Sequence, residues 1–225
     1  MQALWLSFRL AATVSALLLL LATPLAWWLS QTRWRAKFLI ESIVALPLVL
    51  PPTVLGFYLL VLFGARSPLG KLWTDLFGHP LAFTFTGLVF ASILYSLPFA
   101  VQPLVAAFER VDPRLLDAAA VLGAGRWRAF REILLPLSVP GVVTALVLSF
   151  AHTLGEFGVV LMVGGDIPGV SRTVSIAIYD HVQALDYAAA NRLALALLFI
   201  AFAVLCTVYA LNRRVWSPWP ARHAR

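Results

Sequence analysis

The chain has 225 residues, of which 61% are hydrophobic and 12% charged, with a mean hydropathy of +0.89. Soluble domains carry roughly 25% charge, so a water-soluble globular fold is excluded. The net charge of +7 does not point to nucleic acid either, because the 17 basic residues are scattered between apolar runs instead of forming a stripe with interleaved aromatics.

A bilayer core of about 30 Å takes roughly 20 apolar residues per helix, and five segments reach that length: 4–29, 38–63, 83–108, 137–163 and 193–211. They lack the ten-residue alternation of outer-membrane barrels, so the predicted fold class is all-α and polytopic. The first span has no basic run ahead of it and no A-x-A site after its apolar stretch, and is expected to be retained as a membrane helix. Pro47, Pro51 and Pro52 interrupt the second span, and Pro98 and Pro103 the third. Each removes a backbone donor, which either kinks the helix or frees carbonyls to line a cavity.

Between the third and fourth spans the hydrophobicity stops at "DPRLLDAAAVLGAGRWRAFREILLP". Asp112 suits an N-cap, Pro113 the first helical position, and Gly123 the left-handed residue that closes a helix. A helix of about nine residues, near 13 Å long, is predicted, with a bend at Gly123 and Gly125 before the next span begins near Arg131. Leu116, Ala120 and Gly123 continue at helical spacing into Trp127, Phe130 and Leu134, while Asp117, Arg128 and Glu132 face elsewhere. Pattern alone leaves two readings open, an amphipathic helix resting on lipid headgroups or a plug for another protein.

In the fourth span Glu156 is the one acidic residue placed well inside, with His152 four positions earlier on the same helical face. A buried charge costs at least about 2.5 to 3.5 kcal/mol, so both residues are expected to face protein or a watery path. They are read either as a packing pair or as part of a gate. A carboxylate is a poor ligand for a dianion, so Glu156 is assigned packing or gating and not substrate contact. The segment 164–191 is expected at the outer surface, with "RTVSIAIYD" as a partly embedded helix. Gly155, Gly158, Gly164 and Gly165 are candidates for close helix contact, and tryptophans near span ends, such as Trp5, Trp27, Trp28 and Trp216, read as interface anchors. The single cysteine, Cys206, permits neither an intrachain disulfide nor a thiolate metal cluster.

Five spans with the N-terminus outside place 12 of the Lys and Arg residues inside and 5 outside, which sum to the 17 present. The positive-inside rule therefore favours N-terminus out and C-terminus in, and puts the short charged helix in the cytoplasm.

That stretch resembles the EAA motif of ABC importer permeases, in which an acidic residue and two alanines are followed by a glycine and later by I-x-L-P. The matching positions are Asp117, Ala118, Ala119, Gly123, Ile133, Leu135 and Pro136. Aspartate stands where the family usually has glutamate. "ALPLVLPPTVLGFYLLVLFG" and "LSFAHTLGEFGVVLMVGGDIPGVSRTVSIAIYD" are similar to the molybdate and sulfate branch, most of all to molybdate permeases, although His152 stands where that branch often has arginine. The resemblance implies a single transmembrane permease domain over 1–215, with a coupling helix at about 112–128, and a short cytoplasmic tail at 216–225. It also implies ATPase coupling through Asp117, Ala118, Ala119, Gly123, Ala124, Arg126 and Pro136; the residues themselves, without the resemblance, offer a translocation path or gate at His152, Glu156, Pro51 and Pro52. The implied partners are two copies of an ABC ATPase, a periplasmic or extracellular oxyanion-binding protein, a second copy of the chain and the bilayer of the cell inner membrane. The chain has no G-x-x-x-x-G-K-[ST], H-E-x-x-H or G-x-S-x-G and no second intramembrane carboxylate, so no catalytic, metal or cofactor site is expected, and ATP is used by the partner. Other substrates of the same transporter class, sulfate or tungstate, are the alternative reading. A secondary transporter is a weaker one, since five unequal spans do not provide paired repeats.

Overall fold

The computed structural model describes residues 2–211, with side chains described to residue 207; the tail 216–225, including Trp216, lies outside the described residues. Within them the elements are all helical. In chain order they are α1 (Gln2–Gln31), α2 (Lys37–Val49), α3 (Pro52–Phe63), α4 (Pro68–Phe77), α5 (Phe85–Glu109), α6 (Pro113–Val121) and α7 (Arg126–Ala129). A π turn at Phe130–Leu134 follows, then α8 (Leu135–Leu137), α9 (Val139–Gly155), α10 (Gly158–Gly164), α11 (Val174–Gln183) and α12 (Tyr187–Leu211). By length and hydropathy α1, α5 and α12 can each cross a bilayer alone. Two further spans result if the bent pairs, α2 with α3 and the helix beginning at Arg126 with α9, are each counted as one. The expected five are reached only if each pair, bent by 111° and 73°, is one span.

The core is the packing of α1, α5 and α9. Leu10, Val14, Leu18, Ala22, Ala26 and Leu29 recur every three or four residues along α1 and are fully or almost fully buried, so one stripe of a uniformly apolar helix is chosen for protein contact. Leu88, Ala100, Leu104 and Phe108 of α5 and Ala145 of α9 complete this cluster. Helix-to-helix bonds set the directions. Ser7 near the start of α1 accepts a hydrogen bond from the Val174 amide at 2.8 Å, and Arg9 lies over the Phe85 ring at 4.4 Å, so α1 and α5 begin at the same end of the bundle. Ser96 of α5 meets Thr153 of α9 at 3.0 Å, and Ser138, ahead of α9, reaches the Ala107 carbonyl at 3.4 Å, so α9 runs antiparallel to α5. One end of the bundle therefore carries α6 and α7, and the other carries α4 and α11.

The prolines behave differently from one another. Leu50 and Pro51 take extended backbone (ψ 135° and 137°) and divide the second span, whereas Pro98 and Pro103 lie inside α5, which continues through both. Of the two readings for Pro98 and Pro103, a kink or a break, the continuous α5 leaves no break, so they do not divide the third span as Leu50 and Pro51 divide the second. The outer segment expected at 172–180 does fold into a helix, α11, which packs on α1 and α12 through the buried Val174, Ile176 and Ala177.

Candidate functional site: the α6 elbow and the crossing of two helix breaks

The helix predicted in the charged stretch is α6, nine residues long. The Asp112 carboxylate accepts from the Arg114 amide at 2.9 Å, and Pro113 occupies the first turn, where a missing amide costs nothing. At the other end Ala124 N–H donates to the Ala119 carbonyl (2.9 Å) and Gly123 N–H to that of Ala120 (3.0 Å), with Gly123 at φ 82°. This is the paired closure that a left-handed residue permits. The chain then turns at Gly125 into α7, where Arg128 Nε and Glu132 Oε2 pair at 3.0 Å.

The elbow encloses a cavity of about 670 Å³ lined by Pro24, Trp27, Trp28, Gln31 and Thr32 from the end of α1 and by Leu116, Asp117, Ala120, Ala124, Arg126, Ala129, Phe130 and Leu134. Of the residues the motif singles out, Asp117, Ala124 and Arg126 are brought together on this cavity. Ala119 is buried but does not line the cavity, Ala118 and Gly123 are exposed, and Pro136 sits exposed on α8 beyond the π turn. Val121 and Leu122 are 88% and 87% exposed, an apolar tip that the chain leaves uncovered. The sequence pattern did not reveal the cavity or the π turn, since both depend on where α1 ends in space. The i-to-i+3 run Trp127–Phe130 was the one visible sign of the aromatic packing there.

The second cluster lies where the break between α9 and α10 meets the break between α2 and α3. Any Cβ at Gly158 would meet Pro52 Cβ at 2.6 Å, so glycine is what lets the α9–α10 break lie directly on the α2–α3 break. By contrast Gly155 faces open space. α9 ends at Gly155, and Glu156 takes extended backbone (ψ 136°). This corrects the expectation of a Glu156 inside a helix on the same face as His152. The carboxylate of Glu156, 7% exposed, instead accepts from the Val159 amide at 2.8 Å and caps α10. His152 is held separately: Nδ1 is hydrogen-bonded to Ser96 Oγ at 2.9 Å, and its ring stacks on Phe99 at 4.0 Å with Tyr95 at 4.8 Å. The predicted pair is therefore two neighbouring devices, one closing a helix end and one bridging α5 and α9. Pro51 and Pro52 belong to the same crossing.

Among the described residues no group of three or more His, Cys, Asp or Glu side chains could hold a metal ion. At the far end, outside the spans, Arg172 makes a two-point ion pair with Asp166 (Nη2 to Oδ2, 2.7 Å) and lies 3.6 Å from Asp180. The hydrogen bonds from Arg172 hold the Asp166 carboxyl below the usual aspartate range. Burial, with the adjacent Asp166 charge, pushes Asp180 upward.

A helical membrane subunit with a separately presented, glycine-closed helix and no nucleotide loop is the architecture of an importer permease. The chain belongs to the family of binding-protein-dependent transport system inner membrane components, whose pattern matches residues 19–217. It is 52% identical over 213 residues, 95% of this chain and 94% of the relative, to the molybdenum transport system permease protein ModB of Azotobacter vinelandii. It is 32% identical over 190 residues, 84% of this chain and 68% of the relative, to the sulfate transport system permease protein CysT of Escherichia coli K12. The membrane subunit in the inward-facing MetNI methionine ABC transporter shares the fold, with a TM-score of 0.74 at 15% identity over 95% of this chain and 94% of that one. The chain is a transport subunit of an ABC importer and not an enzyme.

Proposed function

We propose that this subunit carries molybdate inward across the cell inner membrane, as a homodimer driven by two copies of a separate ATPase and loaded by an external oxyanion-binding protein. The observation that carries the substrate is the 52% identity over nearly the full length with a molybdenum permease, against 32% with a sulfate permease. In this reading the N-terminus is outside, the α6 end is cytoplasmic, and Asp117, Ala118, Ala119, Gly123, Ala124, Arg126 and Pro136 form the coupling element. The uncovered Val121–Leu122 tip supports it, because an exposed apolar patch of this kind needs a partner.

A second copy is supported by the break between α2 and α3. Leu48, Val49, Pro51 and Thr53 are exposed around extended backbone, and hydrocarbon cannot satisfy the freed carbonyls. A homodimer that encloses a watery path over Pro51, Pro52, His152 and Glu156 does so. The continuous, exposed face of α12 at Leu198, Phe199 and Phe202 suits lipid instead. Closure of the ATPases on ATP then shifts the dimer between inward and outward states, the shift being supplied by their different affinities for the two.

The test is growth and uptake in a strain lacking this gene. The expected result is failure at limiting molybdate, restored by the chain, with normal growth at limiting sulfate. Restoration of sulfate-limited growth instead would reassign the substrate, and tungstate competition measured in the same uptake assay reports the third oxyanion.

A further inference from the structure

We propose that Phe130, together with Trp27, is a positioning element that passes movement of α6 into the membrane helices. The inference rests on α6 being the ATPase-docking helix. Packing of α6 within the chain runs through α7 and the π turn, while the cavity of about 670 Å³ separates its Leu116, Asp117 and Ala120 from Trp27 and Trp28 of α1. Leu116 packs on the core cluster, but the gap leaves α7 and the π turn as the main neighbours of α6. The solid route goes round it. Phe130, 5% exposed, lies at the first residue of the π turn, with its ring 4.5 Å from Trp27 of α1, 5.3 Å from Trp127 of α7 and 6.1 Å from Phe108 of α5. One ring thus touches the lever and two of the three core helices.

In this proposal the π turn supplies the second arrangement that the contact needs. Its bonds span five residues, as in Leu135 N–H to the Phe130 carbonyl, and a return to the ordinary four-residue pattern would rotate Phe130 relative to α9. Such a discrete alternative is the kind of element through which coupling between distant sites is transmitted, and π turns are concentrated at functional positions.

The experiment uses the permease–ATPase complex in proteoliposomes with its delivery protein and reads ATP hydrolysed per molybdate taken up. Phe130→Leu and Trp27→Leu keep an apolar side chain but lose the ring contact. Both are expected to leave membrane level and ATPase co-purification intact and ATP hydrolysis within about twofold, while uptake falls about tenfold. Phe130→Tyr, whose hydroxyl can enter the cavity, restores the ratio. Trp28→Leu, which lines the same cavity but packs on Trp34 at 6.2 Å, leaves it at the wild-type value. A wild-type ratio in both Phe130→Leu and Trp27→Leu overturns the proposal, as does loss of ATPase co-purification in them, which would make the stack a support for α6 alone. Ala119→Glu is run alongside: if that variant still transports, the docking role of α6 fails, and the failure is distinguishable from that of Phe130.

Discussion

The two connections at opposite ends of the bundle, Val111–Gly125 and Gly164–Asp186, are both short helices between spans, yet they are held in opposite ways. The second is fastened by its own chain. Ser171 and Thr173 are buried, Ser171 Oγ donates to the Gly164 carbonyl at 2.6 Å, Val174 bonds to Ser7, and Arg172 ties Asp166 to α11. The first has one buried residue in its helix, Ala119, an open cavity on one face and an uncovered apolar tip. The contrast fits the proposed coupling role of α6, since locally weak regions of this kind are where moving parts are drawn from.

The sharpest way to break that contrast is to block the slack side. Ala119→Glu places a charge at a 7% exposed position on α6, and on the proposed coupling role uptake is expected to fall at least about thirtyfold, the scale of an interface hot spot, with the protein still in the membrane. Retained uptake would remove α6 from the coupling role. On the locked side Ser7→Ala strands the buried Val174 amide and should cost about 1 to 3 kcal/mol in detergent unfolding. A change below that range would show that the far loop is held by other contacts. Glu156→Ala should cost about 1 kcal/mol by uncapping α10, whereas Glu156→Gln retains an acceptor for Val159 and is expected near wild-type stability. Equal losses in both would show that charge, not capping, matters there. Leu122→Ser sharpens the contrast from the other direction: an 87% exposed side chain contributes little to the free chain, so unfolding is unchanged while ATPase affinity drops about tenfold, one strong contact's worth.

The smallest effect is electrostatic. Arg172→Ala is expected to cost about 1 kcal/mol or less, since the pair is partly exposed. The Asp166 carboxyl is held below its ordinary value of 3.8, so its contribution is complete above that pH and is lost as the pH falls through the lowered value. Asp180 has the opposite sign: its carboxyl is raised above 3.8, so its cost sets in as the pH rises through that value, and Asp180→Asn removes it. Protease susceptibility of 164–172 against pH, in wild type and Asp180→Asn, checks both signs.

Much of this was legible in the residues. Apolar length marked five spans, and Asp112, Pro113 and Gly123 marked both ends of α6, because capping and left-handed closure are local chemistry carried within a few positions. The family was legible for the same reason: Asp117 to Pro136 is a contiguous stretch. Local grammar failed at Glu156. Helical spacing put it beside His152, but the crossing of the two breaks ends α9 one residue earlier and turns the carboxylate onto Val159.

The sequence by itself thus determined the all-helical membrane class, the apolar segments and both ends of α6, each of which follows from hydrophobicity or from interactions a few residues apart. Tertiary structure alone decided that the α9–α10 break lies on the α2–α3 break, that Glu156 and His152 are held apart, and that Phe130 meets Trp27 across a hundred residues of chain. Those contacts depend on which faces of uniformly apolar helices pack together, and in a chain this hydrophobic the alternation that would announce a face is absent.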